Sequence, residues 1–337
     1  MTQEEIIASF HALRTDLKKL ELDDSHPLVI QSINSNSWFT LDTIKAAFAG
    51  IIHMLDKGKL EKWIGSYTFT NDPKTIGVVM AGNIPMVGFH DFLCVLASGN
   101  SILIKLSSKD QILIPFLAER LISLNSNYSD RIEFSDRIAG FDAIIATGSD
   151  NSARYFEQYF KKFPNVIRKN RISCAIITKE DSDDDLKNIG NDLFSYFGLG
   201  CRNVSKLFVP ENFNLSRIMD NLSGFASVAQ HHKYVNNYDY NKSIYLVNKE
   251  PHLDNGFFML RESKEMVSPI SVAYYERYQN KGNLIERLTE EKDKIQCLVS
   301  ADLSFPKSIT PGMAQMPDLW DYADNVDTMK FLNDLTQ

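Results

Sequence analysis

TIGVVMAGNIPMVGFHDFLCVLASGNSILIKLSSKD, residues 75–110, decides the fold. Two short apolar runs, residues 76–80 and 102–106, flank a stretch of helical character. Short runs of this kind belong to parallel strands covered on both faces. Pro85 and Gly99 bound the helix between them, as proline at a first turn and glycine past a last turn predict. The unit is βαβ with a right-handed crossover. Its strand ends, Gly82-Asn83 and residues 105–108, open onto the edge of the sheet where α/β proteins bind ligands.

Working outward, Ser108-Lys109-Asp110 caps a helix running to about Leu124, and residues 142–147 form a further buried strand. That strand runs into Gly148-Ser149 and a helix over residues 151–163. A Gly-Ser pair between strand and helix leaves free N–H groups at a helix start, which suits a pyrophosphate; the same pair also serves many turns for conformational reasons alone. Neither GxGxxG nor a Walker sequence is present. Towards the N-terminus, residues 2–20 and 40–64 have helical periodicity, with Ile6, Phe10, Leu13 and Leu17 on one face and Phe48, Ile51, Ile52 and Leu55 on another. These read as a helical lead-in, in which His11 and His53 are helix-surface residues rather than ligands.

Residues 181–210, DSDDDLKNIGNDLFSYFGLGCRNVSKLFVP, hold the chemistry. Leu186, Ile189, Leu193, Tyr196 and Phe197 recur at helical spacing behind an acidic run that suits a helix N-terminus. Gly198 and Gly200 then break the helix, Cys201 follows, and residues 205–209 read as a strand. A thiol on such a connector stands at a fixed point beside backbone N–H groups, whereas an ordinary lone cysteine is a small buried hydrophobe. Around this segment come strands at 165–167 and 174–178, a helix at 216–225 and a polar block at 230–241. A strand at 243–247, a loop entering a strand over 266–275, a helix at 282–293 and a strand at 296–300 follow. The closing residues 311–332 are loop-rich and then helical.

With 337 residues, 44% of them hydrophobic, the chain can bury a large core, and its length points to two domains. A net charge of -7 with dispersed Lys and Arg argues against a nucleic-acid partner. Cys94, Cys174, Cys201 and Cys297 lie far apart without ligand spacing, so neither a metal site nor a disulfide framework is expected. The first 22 residues lack the apolar core of a signal peptide, and no apolar run approaches the ~18 residues of a membrane span. A cytoplasmic location without a transmembrane segment is the expectation.

The ordered pieces resemble the aldehyde dehydrogenase superfamily and, within it, the bioluminescence-type (LuxC-like) fatty acyl-CoA reductases. Residues 82–85, GNIP, resemble the superfamily's Asn-containing turn, and ASGN at 97–100 with Lys105 its "AAGN...LKPS" segment. Thr147-Gly148-Ser149 resembles its "TGS" turn, FGLGC at 197–201 its "NxGQxC" nucleophile segment, and EMVSP at 265–269 its "EIFGP" loop. SVAQHHKYVNN at 227–237 and the ending at 311–332 are similar to the reductase branch. The resemblance implies an α/β, aldehyde-dehydrogenase-like fold: a Rossmann-type cofactor domain and an α/β catalytic domain carrying the nucleophilic cysteine. The expected boundaries are a helical lead-in and dinucleotide-binding domain at 1–173, with 307–337 packing back near it, and a catalytic domain at 174–306.

The same resemblance implies the site: Cys201 as nucleophile, Asn83 at the oxyanion, Gly148 and Ser149 at the pyrophosphate, Lys105 and Ser107 near the adenine ribose, and Glu265 on the nicotinamide ribose. Lys105 beside Ser107 and Ser108 suits a 2'-phosphate, hence NADPH as the expected cofactor. His231 and His232, with Lys233 and Asn236, form a further polar cluster, from which His232 is named as a proton donor; an exposed polar loop is the alternative. His90 reads as a packing residue. One departure from the family bears on the reaction. Hydrolytic relatives carry a water-activating glutamate on a strand whose counterpart here, residues 166–171, reads VIRKNR and holds no carboxylate. The expected activity is reduction of a long-chain acyl-CoA or acyl-carrier thioester to aldehyde, in a homo-oligomer or beside a partner acyl-transfer protein. An NAD-dependent aldehyde dehydrogenase and a non-redox acyl-carrying subunit remain alternatives.

Overall fold

A computed structural model describes residues 1–69 and 72–335. They divide into two compact units, Met1–Asn170 with Met316–Gln337, and Arg171–Gln315. The first begins with helices α1 (Gln3–Glu21), α2 (Pro27–Ser35), α3 (Leu41–Met54) and α4 (Lys57–Ile64). The periodic stretch 40–64 is thus two helices, broken where Asp56 accepts hydrogen bonds from the Gly58 and Lys59 N–H groups at 3.0 and 3.4 Å. The α2 helix was not anticipated, although Pro27 at its first position behind the capping His26 is a start signal.

Then come β1 (Thr75–Val79), α5 (Phe89–Ala97), β2 (Ser101–Lys105), α6 (Leu113–Leu124), β3 (Ile132–Phe134), β4 (Ala143–Thr147), α7 (Asp150–Phe160) and β5 (Asn165–Arg168). The strands form one five-stranded sheet in the order β3-β2-β1-β4-β5, parallel throughout. Strand order reverses between β1 and β4, and the crevice outside their carboxyl ends is where doubly wound sheets take ligands. Ile6, Phe10, Leu13 and Leu17 of α1 are fully buried, in a helix that meets α3, α4, α5 and α6.

Two helix starts differ from the sequence expectation for one reason. The helix expected from Pro85 begins at Phe89, and the one expected from Ser108 begins at Leu113. Asp110, 4% exposed, accepts from the Met86 N–H at 2.9 Å and the Leu113 N–H at 3.3 Å. Its carboxylate therefore holds the loops after β1 and β2 together instead of extending α6.

The second unit contains β6 (Ile172–Ile176), α8 (Asp183–Phe194), β7 (Val204–Pro210), α9 (Leu215–Asn221), α10 (His232–Asn248), β8 (Leu253–Asp254), β9 (Met259–Glu262), β10 (Val272–Tyr278), α11 (Lys281–Glu290), β11 (Ile295–Val299) and β12 (Ser308–Ile309). The sheet order is β12-β11-β6-β7-β10-β9-β8, parallel except for β8 against β9. The strand expected at 243–247 is wrong: those residues are the last turns of α10. The buried face of that helix is Tyr234, Tyr238, Asn241 and Tyr245, so its helical period is carried by polar-tipped side chains. The apolar run that suggested a strand ends in Leu246 and Val247, which are exposed. Asp192, at the end of α8, is fully buried and accepts from the Gly312 and Ala314 N–H groups at 2.6 and 2.9 Å, fastening the 312–314 segment to the helix.

Residues 316–337 belong to the first unit and carry α12 (Thr328–Asp334). Their anchor is Arg168, 3% exposed, whose guanidinium reaches both carboxylate oxygens of Asp91 at 2.6 and 3.3 Å, the Ala323 carbonyl at 2.7 Å and the Thr328 hydroxyl at 2.8 Å. Among the described residues no helix is long and apolar enough to cross a membrane.

Two stability predictions follow from these buried carboxylates. Asp91→Ala leaves the Arg168 cation buried without its counter-charge, and urea unfolding should show a loss of about 3–5 kcal/mol. Burial pushes the Asp192 carboxyl from 3.8 up to about 6, against the Gly312 and Ala314 N–H groups that favour its anion. The folded chain then holds a proton that the unfolded chain has released between about pH 4 and pH 6, so this group's contribution to stability falls as pH rises through that window. Urea titrations across it should show that fall in the wild type and lose it in Asp192→Asn.

Candidate active site

In the second unit the helix α8 ends in a 3-10 turn, Ser195–Gly198, where Tyr196, Phe197 and Gly198 stand in succession at φ 51°, 57° and 78°. Only the glycine adopts that region without strain. Asn203, 3% exposed, stitches the turn together: its amide donates to the Asp192 and Ser195 carbonyls at 3.0 and 2.7 Å, and its Oδ1 accepts from the Gly200 N–H at 2.8 Å. Cys201 lies inside this stitch and is half-buried. Its carbonyl accepts from the Ser173 hydroxyl on β6 at 3.0 Å, and Ser173 Oγ also lies 2.9 Å from Cys297 Sγ. Arg202 donates to the Ala314 carbonyl. The cysteine backbone is thus fixed before and after the thiol.

Two of the other cysteines differ, while Cys297 is half-buried as Cys201 is. Cys94 and Cys174 are fully buried, and burial pushes both thiols up, so they remain protonated and inert at neutral pH. The His231 ring lies 4.2 Å from the Phe197 ring and caps α10 by accepting from the Tyr234 N–H at 3.4 Å, while His232 is exposed and its ring lies 5.2 Å from that of His231. Of the two histidines, His231 is the one against the cysteine turn. A cavity of about 30 Å³ lies beside this turn, lined among others by Phe197, Gly198, Tyr234 and Ile270. That volume has room for about one water, and the Tyr234 hydroxyl has no hydrogen-bond partner among the described residues. Glu265 is exposed, and its N–H donates to Ser263 Oγ at 3.1 Å.

In the first unit the sheet gathers the remaining expected residues at the carboxyl ends of β1, β2 and β4. Gly82 and the half-buried Asn83 follow β1. A Cβ on Gly82 would come within 2.7 Å of Ser107 Oγ, so only glycine allows the loops after β1 and β2 to approach. Asn36 bridges the same loops, donating to the Gly82 and Lys109 carbonyls at 3.4 and 3.0 Å. Lys105 ends β2, exposed, with its ammonium on the Asp136 carbonyl at 2.6 Å. Ser107 Oγ accepts from the Lys109 N–H at 3.2 Å. Gly148 follows β4 in contact with α7, where a Cβ would meet Ser152 Cβ at 2.7 Å, and Ser149 caps the helix from the Ser152 N–H at 3.3 Å. Five of the expected site residues therefore share one edge of the first sheet, and Cys201, His232 and Glu265 belong to the second unit. Sequence reasoning missed Asn203, Ser173 and Asn36, and the second role of Asp110, all of which act by side-chain bonds to distant backbone; Asn36 and Asp110 lie in polar runs and Ser173 within β6, so no local pattern marks them.

Comparisons with known proteins agree with this architecture. The chain is 23% identical over 223 residues to the long-chain acyl-protein thioester reductase of Aliivibrio fischeri, a match covering 60% of this chain and 45% of that protein. It therefore spans less than half the length of that relative. Aldehyde dehydrogenase 21 from Physcomitrella patens, solved with the reaction product succinate, superposes with a TM-score of 0.66 at 14% identity, over 90% of this chain and 74% of that one. Glyceraldehyde-3-phosphate dehydrogenase GapN from Methanocaldococcus jannaschii, solved with NADP, gives 0.65 at 12% identity, over 90% and 77%. At these identities the likeness carries the fold, and the α/β, aldehyde-dehydrogenase-like architecture expected from the sequence is the one observed. The family model described as acyl-CoA reductase (LuxC) matches residues 39–276, more than two thirds of the chain, and the chain belongs to that family.

Proposed function

We propose that the protein reduces a long-chain acyl thioester to the aldehyde, with Cys201 as nucleophile and NADPH as reductant. The observation that carries the reading is the Asn203-stitched turn, which holds a half-buried thiol at a fixed place while Cys94 and Cys174 are sealed in the cores. The edge of the first sheet fits a dinucleotide. Gly148 keeps the start of α7 free of a side chain, its contact with Ser152 being too close for a Cβ, and the first N–H groups of that helix suit a pyrophosphate. Gly148 and Ser149 would hold that group, Lys105 and Ser107 the adenine ribose, and Glu265 the nicotinamide ribose.

In the reaction Cys201, as thiolate, attacks the thioester carbonyl; the new C–S bond forms, the donor's C–S bond breaks, and the donor thiol leaves with a proton. The Cys201 N–H and, on the family resemblance alone, the Asn83 amide stabilise the oxyanion. A bound reduced nicotinamide supplies hydride to the acyl carbon. The resulting thiohemiacetal on Cys201 collapses, releasing aldehyde as the C–S bond breaks. A histidine of the His231-His232 pair, taking a proton from solvent, reprotonates the released sulfur, and His231 is favoured over His232 by its ring contact with Phe197. With no carboxylate in residues 166–171, water at the acyl-enzyme lacks the base that hydrolytic relatives supply. Either CoA or a carrier protein satisfies this chemistry as the acyl donor.

Incubation with long-chain acyl-CoA and no nucleotide should leave a thioester on Cys201, seen as an intact-mass increase equal to the acyl group and discharged as aldehyde when NADPH is added. Cys201→Ser should lose the adduct, and Cys94, Cys174 and Cys297 variants should keep it. Rapid release of free acid would instead mark a hydrolytic dehydrogenase, and an adduct that NADPH does not discharge an acyl carrier. For the cofactor, Lys105→Ala should weaken NADPH binding by about 1–3 kcal/mol and NADH binding little, measured by fluorescence titration; equal losses would remove the 2'-phosphate assignment.

A further inference from the structure

Lys206 is fully buried on β7, the strand that leaves the Cys201 turn, and the mechanism above gives it no part. Its ammonium makes an ion pair with Glu276 Oε2 at 2.9 Å, donates to the Ser263 carbonyl, and donates to the Glu265 carbonyl at 3.3 Å. Two of the three ammonium donors go to these carbonyls, and the Glu276 carboxylate stands beside them as the counter-charge. The second Glu276 oxygen accepts from Arg287 Nε at 3.3 Å, and Arg287 Nη2 donates to the Lys264 carbonyl at 2.8 Å. Three successive carbonyls, those of Ser263, Lys264 and Glu265, are thus held by two cations joined through one carboxylate.

Burying an ammonium is costly, and an aliphatic side chain would fill this place in a central strand without a desolvation penalty. Burial pushes the Lys206 pKa down and the Glu276 carboxylate opposes it. The charge is therefore tied to what it holds, the backbone of the loop bearing Glu265. The loop is fixed while the Glu265 side chain is left exposed. We infer that Lys206, bridged by Glu276 to Arg287, is a positioning residue for the cofactor, presetting the 263–265 backbone so that the Glu265 carboxylate meets the nicotinamide ribose without a cost of ordering the loop. The inference rests on the role proposed above for Glu265.

The test uses the full chain and two variants. Lys206→Met combined with Glu276→Gln removes the buried charges as a pair and avoids an orphaned ion, while Lys206→Arg keeps a cation for the carbonyls. NADPH affinity is read by nucleotide fluorescence, and acylation separately, by the rate at which acyl-CoA adds to Cys201 without nucleotide. The double variant should acylate within about twofold of wild type and bind NADPH about 10- to 100-fold more weakly, with Lys206→Arg recovering most of the loss. Unchanged NADPH affinity in the double variant, or acylation slowed by the same factor as binding, overturns the inference; the second result marks a structural part of β7 only. Because the binding arm needs nucleotide alone, it decides the role of Lys206 even where the wild type forms no acyl adduct, a result that would fall on the acyl-reductase reading instead. A wild type that binds no NADPH overturns the inference as well.

Discussion

The turn before Cys201 has to be held by something other than its own conformational preference. Tyr196 and Phe197 occupy the left-handed region, at a cost of about 1–3 kcal/mol each for residues bearing a Cβ. What offsets that cost is tertiary. Asn203 takes one N–H and two carbonyls that the distorted turn would otherwise leave open, Tyr196 is only 7% exposed, and Phe197 lies against His231. The strain and the compensation sit on either side of one thiol, which is the usual place for stored strain when a reactive group must be aimed. Asp192 extends the constraint one step further, since the helix end that Asn203 grips through the Asp192 carbonyl is itself fastened to residues 312–314 through the Asp192 carboxylate.

The same grammar recurs in the first unit with different words. Each of β1, β2 and β4 ends in a turn whose approach to its neighbour depends on a glycine or on a short polar side chain. Gly82 lies against Ser107, Gly148 against Ser152, and Asp110 and Asn36 bind the loops after β1 and β2 to one another. Backbone amides left at such strand ends, at a point where strand order reverses, suit an anion. In the function proposed above, the first unit contributes N–H groups and a lysine, and the second a thiol and a carboxylate.

How much of this could be read in advance depended on how local its cause was. The strands β1, β2, β4, β7 and β11 were legible because apolar runs bounded by glycine or polar residues announce themselves over a few positions. The cysteine turn was legible from two glycines and from family resemblance. Helix α10 was not, because its inward face is three tyrosines and an asparagine, and the residues that suggested a strand, Leu246 and Val247, point to solvent. The starts of α5 and α6 were missed for a related reason: Asp110 looked like a cap for its own helix, while its carboxylate also serves a backbone N–H on the other loop, at Met86. Short edge strands such as β8 and β12, two residues each, hold no pattern that a sequence could show.

Arg168 joins the stability of the fold to the chemistry proposed for it. Residues 166–171 correspond, by family resemblance, to the strand from which hydrolytic relatives extend a water-activating glutamate, and here the one buried ionisable side chain of that stretch is a cation. Its guanidinium is spent on Asp91, on Thr328 and on the Ala323 carbonyl, the contacts that secure residues 316–337 within the first unit. A carboxylate placed at Arg168 would face Asp91 with like charge in a site closed to water, and one of the two would have to take up a proton or the pair would separate. Placing a base at position 168 and keeping the C-terminal segment fastened are therefore opposed. In the function proposed above, the Arg168–Asp91 pair fits an acyl group that waits on a thiol, because the buried charge at this position is a cation fastened to the C-terminal segment.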